Sequence, residues 1–205
     1  MRCFIALSLP EEARSALAEW ALSYRERLEK SIKALSTAHR PRITWVKSSS
    51  YHLTLAFLGE IEGEALEAGS TALGALSGIG PIPFSLYAPD GFPHGGPWRV
   101  LLARLEDRGR SALAYRRVNE ALAAAAEEAG LGKLNPDWSS GRPFSPHVTI
   151  ARISGRAALE APRAESAARG LPEPAGAWTI GRGALYKSEL RPGGSLYTEL
   201  KAVDL

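Results

Sequence analysis

Two short stretches of this chain carry the same four-residue pattern. His52-Leu53-Thr54-Leu55 and His147-Val148-Thr149-Ile150 both read histidine, aliphatic, threonine, aliphatic. An imidazole can hold or release a proton near neutral pH, and a hydroxyl can donate a hydrogen bond to an anionic oxygen. Two of each, facing one another, suit a pentavalent phosphate. One neutral histidine takes a proton from an attacking water and one protonated histidine gives a proton to the leaving oxygen. The threonine hydroxyls hold the non-bridging oxygens. These residues alone do not say which histidine does which job. His39 and His94 sit in polar, loop-like stretches without a companion threonine and receive no role.

The pattern also says what must position it. Side chains alternate faces along a strand, so in each copy His and Thr share one face. Leu53, Leu55, Val148 and Ile150 then point into a core. Strands are expected at 2–7, 43–46, 51–58, 82–87, 99–105, 144–153, 178–189 and 196–203, from apolar runs bounded by turn residues. Ser8, Pro10, Glu11 and Glu12 read as a helix start, and Ala13, Leu17, Trp20, Tyr24, Leu28 and Leu35 recur at helical spacing. Further helices are expected at 62–76, 111–129 and 157–169. Leu113, Val118, Leu122, Ala125 and Ala129 mark the buried face of the third. Segments 89–97, 131–143 and 171–176 read as loops. Arg191-Pro192-Gly193-Gly194 reads as a turn.

Each half thus runs strand, helix, strand, helix, strand. The expected fold class is α+β, with residues 1–205 forming one two-lobed domain. Each of the two pseudo-symmetric lobes is an antiparallel-type sheet with helices outside, and the two histidine motifs face each other across a central cleft.

Composition narrows the function. With 25 basic and 22 acidic residues the formal charge is +3, which fits local contact with phosphates rather than coating of long duplexes. Cys3 is the single cysteine, which excludes an internal disulfide and a thiolate metal cluster. It lies in an apolar run and reads as a buried thiol. A metal held only by His52 and His147 would lack a third ligand, so neither metal nor other cofactor is expected. Walker, dinucleotide-binding and H-E-x-x-H patterns are absent. No stretch approaches a signal peptide or membrane span, so a cytoplasmic protein is expected, a monomer without an obligate protein partner.

Longer matches surround the motifs. Arg2-Cys3-Phe4-Ile5-Ala6-Leu7 with Leu9-Pro10, Trp45-Val46, and His52 through Gly59 form one set. Arg142-Pro143-Phe144-Ser145-Pro146-His147-Val148-Thr149-Ile150-Ala151-Arg152 forms a second. Tyr186-Lys187-Ser188-Glu189-Leu190, Gly193-Gly194 and Tyr197 form a third. Over nearly its whole length the chain resembles the two-histidine phosphoesterases. The branch it resembles is the bacterial and archaeal RNA 2′,3′-cyclic phosphodiesterases, also called 2′-5′ RNA ligases. The resemblance implies metal-independent opening of RNA 2′,3′-cyclic phosphate ends to 2′-phosphomonoesters. By the same resemblance His52 is the proton donor and His147 the proton acceptor, while Thr54 and Thr149 are the hydroxyls that the motif itself offers to the phosphate. Arg152 also matches a family position and would clamp the phosphate, yet strict alternation from His147 puts it on the face of Val148 and Ile150.

Other readings share these residues. The same groups would serve 2′-5′ ligation by microscopic reversibility, or hydrolysis of a small cyclic nucleotide. A non-enzymatic RNA-end binding module would use them only to hold a phosphate. Tyr51, Phe57 and Phe144 are candidates for stacking on a base, and Lys187 and Arg191 for phosphate contact. Segment 29–42 is basic and longer than a tight connection needs. It is expected either to extend the cleft wall or simply to extend a helix.

Overall fold

The chain starts with the apolar strand β1 (Arg2–Ser8) and enters the long helix α1 (Glu11–Lys33). Pro10 is the residue before that helix, and its fixed φ suits the entry. Ser8 does not cap the helix. It ends β1, and its Oγ lies 2.9 Å from the Tyr186 hydroxyl. At the far end, the Arg40 guanidinium donates to the carbonyl of Lys33, which the last turn of α1 leaves open, and to that of Leu35 just beyond it. The early part of segment 29–42 is therefore helix extension, closed off by Arg40. The computed structural model describes every residue except 141–142 and 192–193. Arg142 and the centre of the expected Arg191–Gly194 turn lie outside the described residues.

The remaining elements are β2 (Arg42–Trp45), β3 (His52–Glu60), α2 (Glu64–Gly74), β4 (Ile82–Phe92), β5 (Val100–Glu106), α3 (Arg110–Glu128), α4 (Pro136–Ser139), β6 (His147–Ser154), α5 (Ala161–Ala168), β7 (Trp178–Ile180), β8 (Arg182–Arg191) and β9 (Gly194–Asp204). Three expectations change here. The strand expected at 178–189 is two, β7 in one sheet and β8 in the other, parted at Gly181. The Gly- and Pro-rich stretch after Tyr87 is not all loop, because β4 continues to Phe92. Asp90, Gly91 and Phe92 pair with Leu102, Leu101 and Val100, while Ala88 and Pro89 fall in a register irregularity. A proline there removes no ladder donor that the sheet needs. The expected loop at 131–143 holds the one-turn helix α4, started by the Asn135 side chain accepting from the Asp137 N–H.

Among the described residues the strands form two sheets, ordered β3-β1-β8-β9 and β2-β6-β5-β4-β7. Each pair that carries a register is antiparallel. The lobes are not the two halves of the sequence. β8, from the second half, pairs with β1, and β4, from the first, pairs with β5. The equivalences β1/β5, β3/β6 and β8/β4 nevertheless give each sheet the same three-strand unit. α2 and α3 lie against strands of the first sheet, and α5 against β4 of the second, with α1 against α5. One continuous core includes Ile5, Leu7 and Leu53 from the first sheet and Leu101, Ala103 and Val148 from the second. Burying the branched side chains among these contributes roughly 1.5–3 kcal/mol each before chain entropy is counted. Exchanging β4 and β8 thus ties the lobes through backbone as well as packing.

Candidate active site

β3 and β6 hold the two motifs, one in each sheet, and lie next to each other. Their burial patterns match residue for residue. Leu53 and Leu55, like Val148 and Ile150, are buried, while His52, Thr54, His147 and Thr149 are half-buried. The four side chains that alternation assigned to one face therefore do share it in each strand.

Both strands then break alternation in the same place. In the β1–β3 register Ile5 pairs with Ala56 and Ala6 with Thr54, which skips Leu55. In β5–β6, Leu101 pairs with Ala151 and Leu102 with Thr149, which skips Ile150. The extra residue is a β-bulge, and it resets which face the following side chains take. Leu55 and Ala56 are both buried, as are Ile150 and Ala151, and the next residue in each strand, Phe57 or Arg152, emerges on the histidine face. The difficulty that alternation raised for Arg152 disappears. Its charge reaches both imidazoles, disfavouring protonation of His52 and of His147.

The bulge carbonyls are bonded by two different donors. On β6, Ile150 O accepts from Val46 N–H at 2.9 Å. β3 is an edge strand with no outer neighbour, and there the side-chain amide of Asn119 on α3 donates to Leu55 O at 3.0 Å. Asn119 is buried and also accepts from Asn135 Nδ2 at 2.6 Å. Asn135 begins the segment that leads to Pro143 through Pro146 and so to His147. The sequence reading missed Asn119, although a polar residue between Val118 and Leu122 on a buried helical face was a usable signal. That face comprises Ala114, Val118, Leu122 and Ala126, so Leu113, Ala125 and Ala129 are only partly covered.

The imidazoles are held alike. His52 Nδ1 lies 2.7 Å from Ser50 O, and His147 Nδ1 lies 2.8 Å from Ser145 O. In each case Nδ1–H donates to a carbonyl two residues back, which leaves Nε2 for chemistry. Burial pushes the His52 pKa down to about 4 against its carbonyl bond, with Arg152 and His147 adding to the depression. Burial also lowers His147, but there Asp90 works in the opposite direction. Asp90 lies on β4, with Oδ2 3.6 Å from Arg104 Nε and Oδ1 4.0 Å from His94 Nδ1. His94, given no role from sequence, packs against Phe92, whose ring meets His147 at 5.0 Å. On the other side, Phe4 and Tyr197 pack against His52 at 4.8 and 5.2 Å.

The remaining candidates separate clearly. Tyr51 is buried in the core, and Phe144 is stacked on Tyr115 at 4.3 Å. Phe57 is 44% exposed on the histidine face. Lys187 and Arg191 are both engaged by Glu189, at 2.7 and 2.9 Å. Glu189 is held below the usual carboxylate range, first by its bond to Lys187 and then by Arg191. Among the described residues no three His, Cys, Asp or Glu side chains gather to hold a metal ion. Cys3 is buried, and burial raises its thiol pKa. Among the described residues no helix is long and apolar enough to cross a membrane.

A sequence profile described as the 2′-5′ RNA ligase superfamily matches residues 24–191, a span that contains both motifs. The chain belongs to that superfamily. A relative from Thermus thermophilus, named RNA 2′,3′-cyclic phosphodiesterase, is 36% identical over 212 residues, covering 100% of this chain and 90% of that protein. A Thermus thermophilus crystal structure superposes with a TM-score of 0.71 at 32% identity, covering 100% of this chain and 98% of the other. Escherichia coli LigT complexed with 3′-AMP gives a TM-score of 0.65 at 27% identity, covering 100% and 97%. The two solved structures share the fold described above.

Proposed function

We propose that this protein hydrolyses the 2′,3′-cyclic phosphate at RNA 3′ ends and releases a 2′-phosphomonoester. The observation that carries the reading is the matched pair of imidazoles. Each is oriented by a carbonyl two residues back, and both feel the one Arg152 guanidinium. The Thermus thermophilus and Escherichia coli relatives named RNA 2′,3′-cyclic phosphodiesterase support the same activity.

In this mechanism His147 Nε2 takes a proton from water as the water oxygen bonds to phosphorus. The P–O3′ bond breaks, and His52 Nε2 gives its proton to the leaving 3′-oxygen. Thr54 and Thr149 donate hydrogen bonds to the non-bridging oxygens, and Arg152 offsets the charge that builds there. Two charges bear on this assignment. The acceptor becomes an imidazolium during the step, and Asp90 favours that form at His147. Burial and the Arg152 charge disfavour the imidazolium at His52 in the free protein. The phosphodiester's own negative charge favours the protonated donor once substrate is bound.

The test is incubation of the protein with a short RNA ending in a 2′,3′-cyclic phosphate, with EDTA present. The product is identified by mass and by sensitivity to phosphatase and to a 3′-specific enzyme. A 2′-phosphate product lost in His52→Ala and His147→Ala supports the reading. A 3′-phosphate product, or turnover that survives both substitutions, refutes the assigned roles.

A further inference from the structure

A row of side chains leads away from His147 across the second sheet. Arg104 on β5 is the register partner of His147, and Tyr87 on β4 is the partner of Arg104. Register partners share a face, so the three residues step from the reacting centre toward the outer edge of the sheet. At that edge β7 pairs only with Ile82, Pro83 and Phe84, so it stops short of Tyr87. The next backbone donor, Ala88 N–H, is bonded instead to Glu173 Oε2 at 2.9 Å.

Past this edge lies an open hollow of about 550 Å³, walled by Tyr87, Arg104, Arg169, Ser166 and Leu171 among others. Tyr87 is 42% exposed, and among the described residues no other ring packs on it. Arg104 is 63% exposed, and its 3.6 Å contact with Asp90 is a loose, solvated pair that a phosphate can compete with. Glu165 and Glu173 also line the hollow, so its formal charges balance, and Glu173 is turned to Ala88 N–H. An exposed aromatic ring and two arginines at one hollow, reached by register from His147, are groups that single-stranded nucleic acid uses.

We propose that this row is a track for the nucleotides on the 5′ side of the cyclic phosphate. Arg104 and Arg169 meet backbone phosphates, and Tyr87 stacks on a base. The proposal rests on the hydrolytic reading above and adds a substrate preference to it. Single-stranded RNA longer than one nucleotide binds better than a mononucleotide.

The experiment compares KM and kcat for 2′,3′-cyclic AMP and for a short oligoribonucleotide with the same cyclic terminus. The proteins are the wild type, Tyr87→Ala, Tyr87→Phe and Arg169→Ala. The expected wild-type KM is roughly tenfold lower for the oligonucleotide, in line with one stacked base. Tyr87→Ala abolishes most of that advantage, Tyr87→Phe keeps it, and none of the variants changes turnover of 2′,3′-cyclic AMP. Equal wild-type KM for the two substrates overturns the track while leaving the hydrolytic activity standing. So does an oligonucleotide KM that Tyr87→Ala leaves unchanged. Failure of the folded wild type to hydrolyse either substrate overturns the activity, and the track with it.

Discussion

Replacing Asn119 with alanine removes a side chain that touches no substrate yet should cost both stability and rate. The amide donates to Leu55 O at 3.0 Å and accepts from Asn135 Nδ2 at 2.6 Å, and both asparagines are buried. Asn119 also donates to Tyr115 O at 2.7 Å, but that carbonyl lies one helical turn back within α3. The substitution therefore strands two buried polar groups, Leu55 O and Asn135 Nδ2. At about 1–3 kcal/mol each, with some relief from rearrangement, the expected loss is about 2–4 kcal/mol. Urea unfolding at constant slope measures it. Leu55 is the bulge residue that separates Thr54 from Phe57, so freeing its carbonyl lets the bulge slide or flatten. A displacement of about 1 Å at His52 and Thr54 is enough to slow a positioned reaction by roughly a hundredfold. The expectation is a fall in kcat of at least tenfold with little change in KM, measured well below the unfolding midpoint. Val118→Ala, one residue away and also buried, is the control. It loses packing energy of about 2 kcal/mol and keeps its kcat. If Asn119→Ala matches that control in rate, the amide is merely a satisfied core group and does not position the catalytic strand.

Four further outcomes follow from the same geometry. His52→Ala and His147→Ala should each lower the rate roughly 10²–10⁴-fold with circular dichroism unchanged, and near-full activity in either discards the acid–base pair. Both histidine pKa values lie below 6.5, so both limbs of the kcat/KM bell should fall on the acid side of 6.5, and a limb above 7 contradicts this. The same depression has a stability sign. Below pH 6.5 the unfolded chain binds protons that folded His52 refuses, so stability drops as pH falls from about 6.5 to about 4. His52→Gln should flatten that slope, and an unaltered slope in urea titrations at pH 7 and 5 would place its origin elsewhere. Turnover should be indifferent to EDTA, and dependence restored by an added divalent ion would require a ligand set other than the two histidines.

The sequence determined a good deal by itself. Two His-x-Thr copies at 52–55 and 147–150, each flanked by aliphatics, specify half-buried strands whose histidines and threonines share a face. Helical spacing located α1 and α3 to within a few residues, because apolar periodicity is a local property. Strand pairing is not local. The exchange of β4 and β8 between sheets, the skipping of Leu55 and Ile150, and the extension of β4 through Asp90 to Phe92 all depend on which strand lies alongside. Those pairings decide that Arg152 and Phe57 reach the histidine face, that Asp90 tempers His147, and that Asn119 must supply the donor an edge strand lacks. Residue types and their spacing along the chain give the chemistry available. Only tertiary structure sets the register that aims it, because shifting a strand by one residue turns every following side chain to the opposite face.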